Sequence, residues 1–157
     1  MIQNNEIFDC GGGIVGYTGG MNGSYDILNN HFYMTTSVFG MGSCINLSFT
    51  SDTGNVNISG NYFGASQPFA QGSPMRIGGS GILWGGSGAG AFKSVISNNI
   101  IKNIYQPAGS ITCIRAHGLG AFDILNNTIG DLNTPNSIDA FPGSTSVFAG
   151  IICRYGD

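Results

Sequence analysis

Read for its apolar and polar positions, the chain repeats one short phrase five times: Ile, any residue, Asn or Gly, Asn, any residue, then Ile or Phe. The copies run Ile2 to Ile7, Ile27 to Phe32, Ile58 to Phe63, Ile96 to Ile101 and Ile124 to Ile129. Ile opens every copy, and the fourth place is always Asn: Asn5, Asn30, Asn61, Asn99 and Asn127. These asparagines are 25, 31, 38 and 28 residues apart, a spread that suits repeats with one corner opened into a loop of variable length. A looser pattern lies between the copies, a Gly- or Ser-led apolar segment at Gly13-Ile14-Val15, Ser43-Cys44-Ile45, Gly81-Ile82-Leu83, Thr112-Cys113-Ile114 and Gly150-Ile151-Ile152. Each repeat therefore predicts two short strands flanking an Asn corner and a third strand carrying the apolar segment.

The physical logic is one of stacking. If the first and last positions of the phrase point inward, each meets its equivalent in the next repeat at the spacing of neighbouring strands, about 4.8 Å, and columns of like residues form. Asn suits the corner between them, because it tolerates the left-handed backbone and its amide can bond the Asn above and below in a ladder. Gly60, which replaces the first Asn of the third copy, suits the same tight bend. Positions after the invariant Asn (Glu6, His31, Tyr62, Ile100, Thr128) vary freely and are expected to face outward.

These phrases resemble the parallel β-helix repeats of the pectin-lyase-like superfamily, whose turns commonly read Ile-x-x-Asn-x-Ile. The resemblance spans nearly the whole chain and implies an all-β fold, a right-handed parallel β-helix of about five coils with Asn-rich turns, in a single domain over residues 1–157. It is specific for architecture and not for activity, since the superfamily includes polysaccharide lyases and hydrolases, surface proteins and phage tailspikes. Both ends read as uncapped, which leads to two expectations: head-to-tail stacking of copies, or flanking coils of a longer chain.

Composition sharpens this picture in a few places. With 27 Gly, 41% hydrophobic and only 8% charged residues, the chain is too apolar to remain disordered and too rich in strand and turn formers to be helical. A net charge of -3 and five Lys plus Arg leave no basic stripe for nucleic acid. No stretch is long and apolar enough for a membrane span, and Met1-Ile2-Gln3-Asn4-Asn5 lacks the charged and apolar regions of a secretion signal. Cys10, Cys44, Cys113 and Cys153 form no C-x-x-C pair; buried small hydrophobes in strands are the first expectation, a disulfide between neighbouring coils the second and zinc the third.

Catalytic chemistry on such a scaffold needs clustered carboxylates or a base beside bound calcium. The eight acids are scattered, and the equivalently placed Asp26 and Asp123 fall three coils apart, about 14 Å. No catalytic residue, metal or cofactor is therefore assigned. The densest polar group is Arg115, His117 and Asp123, with Arg154 one coil on. Two alignments compete there, one stacking Arg115 on Arg154 and the other Cys113 on Cys153. Stacked arginines would invite a carboxylate or sulfate, and Trp84, among glycines, is the aromatic singled out as a sugar platform beside Tyr17, Tyr62, Tyr105 and Tyr155. The Gly86–Ser94 stretch is not a phosphate loop, because Phe92 stands where Gly must precede the Lys. The leading expectation is a non-catalytic structural β-helix of an extracellular or cell-surface adhesin, stalk or self-assembling fibre. The alternative is a carbohydrate-active or carbohydrate-binding β-helix, with Arg115, Arg154 and Trp84 contacting a polysaccharide.

Overall fold

A computed structural model describes residues 1–18, 24–36, 40–49, 55–77, 81–87, 93–107, 109–118, 121–134, 137–140 and 148–154. The fold is all-β and its sheets are parallel. The strands before the Asn corners are β1 (Ile2–Gln3), β4 (Tyr25–Leu28), β7 (Val56–Ser59), β11 (Ser94–Ser97) and β15 (Phe122–Leu125), and they form one sheet in that order. Those after the corners, β2 (Glu6–Phe8), β5 (His31–Tyr33), β8 (Tyr62–Phe63), β12 (Ile100–Ile101) and β16 (Thr128–Ile129), form a second. A third holds the apolar segments: β3 (Ile14–Thr18), β6 (Ile45–Phe49), β10 (Gly81–Ser87), β14 (Ile111–Gly118) and β18 (Phe148–Arg154). The chain visits the three sheets in the same order in every repeat.

A fourth, three-stranded sheet has no counterpart in the sequence reading. It consists of β9 (Met75–Arg76), β13 (Ile104–Gln106) and β17 (Ile138–Ala140), and a parallel bridge from Met41 to Ile77 carries its line towards the second repeat. A 3-10 turn, Pro68–Ala70, lies between β8 and β9 and packs on β5 and β8.

Register follows the phrase. Ile2, Ile27, Ile58, Ile96 and Ile124 are successive partners, and so are Ile7, Phe32, Phe63, Ile101 and Ile129. Strand alternation turns these positions inward, because a one-residue slip would send every apolar side chain to the other face. Phe32 and Phe63 stack at 4.9 Å between ring centroids. Together with Ile45, Leu47 and Ile114 of the third sheet and Met75 and Ile104 of the fourth, they belong to one hydrophobic cluster.

The looser pattern needs two corrections. Its first segment is one residue out, since Ile14 pairs with Ile45 rather than Cys44. Gly13 lies so close to Cys44 that a Cβ there would come within 2.1 Å of its carbonyl oxygen, so only Gly permits the approach. At the other end neither proposed alignment holds. Arg115 pairs with Ile152 and Arg154 with His117, while Cys153 lies opposite Ala116. This register sets Ile114 against Ile151 and so continues the apolar column Ile14, Ile45, Leu83, Ile114.

All four cysteines are free thiols. Cys44 and Cys113 are fully buried, as the first expectation has it, whereas Cys10 is half-buried and Cys153 exposed. Burial pushes the Cys113 thiol up to about 12, and that of Cys44 higher still, so neither forms a thiolate near neutrality.

Candidate functional site

The corner between the first two sheets divides its work between two adjacent positions. The third residue of each phrase takes the left-handed backbone: φ is 56° at Asn4, 53° at Asn29, 68° at Gly60, 54° at Asn98 and 53° at Asn126. The invariant fourth residue is absent from that set and builds the ladder instead. Asn5 donates from its backbone N–H (3.0 Å) and from Nδ2 (2.9 Å) to Oδ1 of Asn30. Asn30 does the same to Asn61 (2.8 and 3.0 Å), Asn61 to Asn99 (3.0 and 3.0 Å) and Asn99 to Asn127 (3.0 and 2.9 Å).

The second Nδ2 proton reaches back to the carbonyl of the Ile that opens the preceding phrase. Asn30 donates to Ile2 (3.1 Å), Asn61 to Ile27 (2.9 Å), Asn99 to Ile58 (2.9 Å) and Asn127 to Ile96 (2.8 Å). Asn30, Asn61 and Asn99 have no solvent exposure, yet both amide protons and the amide oxygen of each are used. The ladder has a direction, since every rung donates towards the fifth repeat.

Outside the ladder, the exposed side chains of Asn4, Asn29 and Asn98 line a groove of about 490 Å³, with Asn5, Gly60, Glu6, His31, Tyr62 and Phe69 completing its walls. Three rings gather on one flank. Phe69 lies 4.2 Å from His31 and 5.2 Å from Tyr62 between centroids, and His31 meets Tyr62 edge-on at 5.1 Å. Phe69 remains 51% exposed, and it adopts a left-handed backbone (φ 59°), as does Ala70 after it (φ 54°). That conformation costs an L-residue roughly 1 kcal/mol or more, so neighbouring structure must hold it.

Two ionisable groups respond to this surface. Burial lowers the His31 pKa below its ordinary value, partly offset by the nearby Glu6 carboxylate, and its Nδ1 has no hydrogen-bond partner. Burial raises Tyr33, and so does the hydrogen bond its hydroxyl donates to Glu6 at 2.8 Å. Asp9 accepts from both the backbone N–H of Thr35 (2.7 Å) and its hydroxyl.

The residues marked for a polysaccharide fall elsewhere. Trp84 and Arg115 are register partners on β10 and β14, but Arg154 pairs with His117, so Arg115 and Arg154 do not stack. The side chains of Trp84, His117, Arg154 and Tyr17, and the whole of Tyr155, lie outside the described residues, as do most of Gly86–Ser94. Asp26 and Asp123 lie in one column, separated by Asn57 and Val95; Asp26 accepts from Asn57 (3.2 Å) and Asp123 pairs with Lys93. Among the described residues no group of three His, Cys, Asp or Glu side chains could hold a metal, and no helix is long and apolar enough to cross a membrane.

The groove was not legible as a site. Its only sequence signal is Gly60, the single departure from Asn at the third place, in the repeat that also supplies Tyr62 and Phe69. Comparison with protein-family models, with curated proteins and with solved structures returned no match.

Proposed function

We propose that the chain is a right-handed parallel β-helix of the kind its phrases resemble in the pectin-lyase-like superfamily, and that it serves as a non-catalytic structural segment of an extracellular stalk, adhesin or head-to-tail fibre. The observation that carries this reading is the one-way Asn ladder, running without a break through all five repeats. Parallel strands visited in a fixed order, with crossovers that favour the right hand, support the helical winding. A rigid stack of identical rungs is a scaffold that extends by repetition.

The two outer faces suit further strands, whether from a second copy or from flanking coils of a longer chain. At one, Leu125, Leu132, Phe148 and Ile151 are about half exposed or more; at the other, Phe8 and Val15 are about half exposed. Unpaired parallel edges flanked by apolar side chains are templates for further strands. Two unlike faces that fit each other make a heterologous contact, which yields filaments unless a rotation closes it.

Negative-stain electron microscopy over a range of concentrations tests this directly. Filaments with a subunit rise of about 24 Å, five strand spacings, are the expected result. Particles that remain single at every concentration would overturn self-assembly.

A further inference from the structure

We propose that the Pro68–Ala70 turn is a proton-operated latch: neutral His31 holds the Phe69 ring shut against the second sheet, and protonation of His31 releases it.

The turn is strained, and its base and tip are held differently. Ala65, Phe69 and Ala70 take the left-handed backbone (φ 67°, 59° and 54°), which L-residues keep only where their surroundings enforce it. At the base, the Ala65 N–H donates to the Asn103 carbonyl (2.9 Å), the Asn103 amide donates to the Ala70 carbonyl (2.8 Å), and Ala70 is buried. Across the loop, the Gln67 N–H donates to the Gln71 carbonyl (3.1 Å) and the Ser73 N–H to the Ser66 hydroxyl (3.1 Å). At the tip, Phe69 is half in water and meets the His31 and Tyr62 rings. One of the two rings that hold the tip can therefore change its charge.

His31 suits that contact in one protonation state. Its Nδ1 is buried without a partner, which a neutral ring tolerates by keeping a lone pair there and its proton on Nε2. Imidazolium carries a proton on both nitrogens, so Nδ1 would become a charged donor with no acceptor. Glu6 on β2 and Tyr62 on β8 are the register neighbours of His31, and Pro68–Ala70 carries no titratable side chain. The Glu6 carboxylate attracts an imidazolium, but it already accepts from the Tyr33 hydroxyl, and burial outweighs its pull. With the latch shut the His31 pKa lies below its ordinary value of about 6.5. A proton therefore binds the open form more tightly, and opening grows as pH falls through that value.

The test is hydrogen exchange of the intact chain at pH 5.5 and 7.5, corrected for the intrinsic pH dependence of exchange. The Gln67 and Ser73 amides report the turn, and the Ile100 amide, bonded to the Asn61 carbonyl, is the reference. Exchange at Gln67 and Ser73 is expected to quicken threefold or more at pH 5.5. An open-state histidine titrating one unit higher sets a ceiling of about tenfold. Ile100 is expected not to change. His31→Gln, which cannot take up the charge, is expected to abolish the difference, and His117→Gln to preserve it. A second readout needs only the exposed Phe69: the His31 imidazole resonances are expected to titrate below 6.5 in the unaltered chain and closer to 6.5 in Phe69→Ala. Equal exchange at the two pH values, or slower exchange at pH 5.5, would overturn the proposal. So would a difference that persists in His31→Gln, or a His31 midpoint that Phe69→Ala leaves in place.

Discussion

Asn99 shows how one side chain type can both mark and hold a repeat. Its amide accepts from the N–H and Nδ2 of Asn61 and donates to Asn127 and to the carbonyl of Ile58, all without solvent. Removing that amide leaves the Asn61 N–H and an Asn61 amide proton without their acceptor in a buried place. The cost of such orphaned groups exceeds the modest net value of a hydrogen bond. Asn99→Ala is therefore expected to destabilise the fold by about 1–3 kcal/mol, measured by urea unfolding with an unchanged slope. Asn5 is exposed, so Asn5→Ala should cost much less. Asp fits the space in shape but not in chemistry, because a carboxylate accepts and cannot donate up the ladder.

At the scale of the strand, position in the stack sets the cost of a substitution. Phe63 is fully buried between Phe32 and Ile101, whereas Ile129, the same place in the outermost strand, is only partly covered. Phe63→Ala is expected to cost about 3–5 kcal/mol by emptying a packed site. Ile129→Ala should cost distinctly less, and equal losses in thermal unfolding would show that the columns are not stacked as described. These columns were legible because Ile and Phe recur at fixed places around an invariant Asn. The fourth sheet was not, since Met75–Arg76, Ile104–Gln106 and Ile138–Ala140 are too short to show an alternation and follow segments of unequal length. The register of β18 was misread for a related reason. Matching Arg with Arg or Cys with Cys aligns like letters, but the core aligns branched apolar side chains, and Ile151 belongs under Ile114. The Asn pair was likewise recognised as a corner while its two residues have different tasks, a distinction carried by φ and invisible in the letters. Of the groove, only the outward positions of Glu6, His31 and Tyr62 were readable; Phe69 comes from a loop with no repeat to compare it with.

For the whole molecule, direction is the property that matters. The ladder donates one way and all sheets are parallel, so the fibre proposed above joins copies tail to head. An isologous pairing of like ends would set donor against donor at Asn127 or acceptor against acceptor at Asn5, and it would oppose the strand directions. This makes a one-sided block diagnostic. A chain carrying Phe148→Asp and Ile151→Asp places two carboxylates on the outermost strand of the third sheet and disfavours docking there, while β1, β2 and β3 remain intact. Such a chain can still add to the open face of a growing filament through its unaltered end, but it cannot be extended. Added to the unaltered protein at a few per cent, it is expected to shorten filaments far beyond simple dilution, as measured by length distributions in electron micrographs. The variant alone should stay single. If it shortens filaments only in proportion to its share, growth does not run through this face, and the one-way stacking inferred from the ladder fails with it.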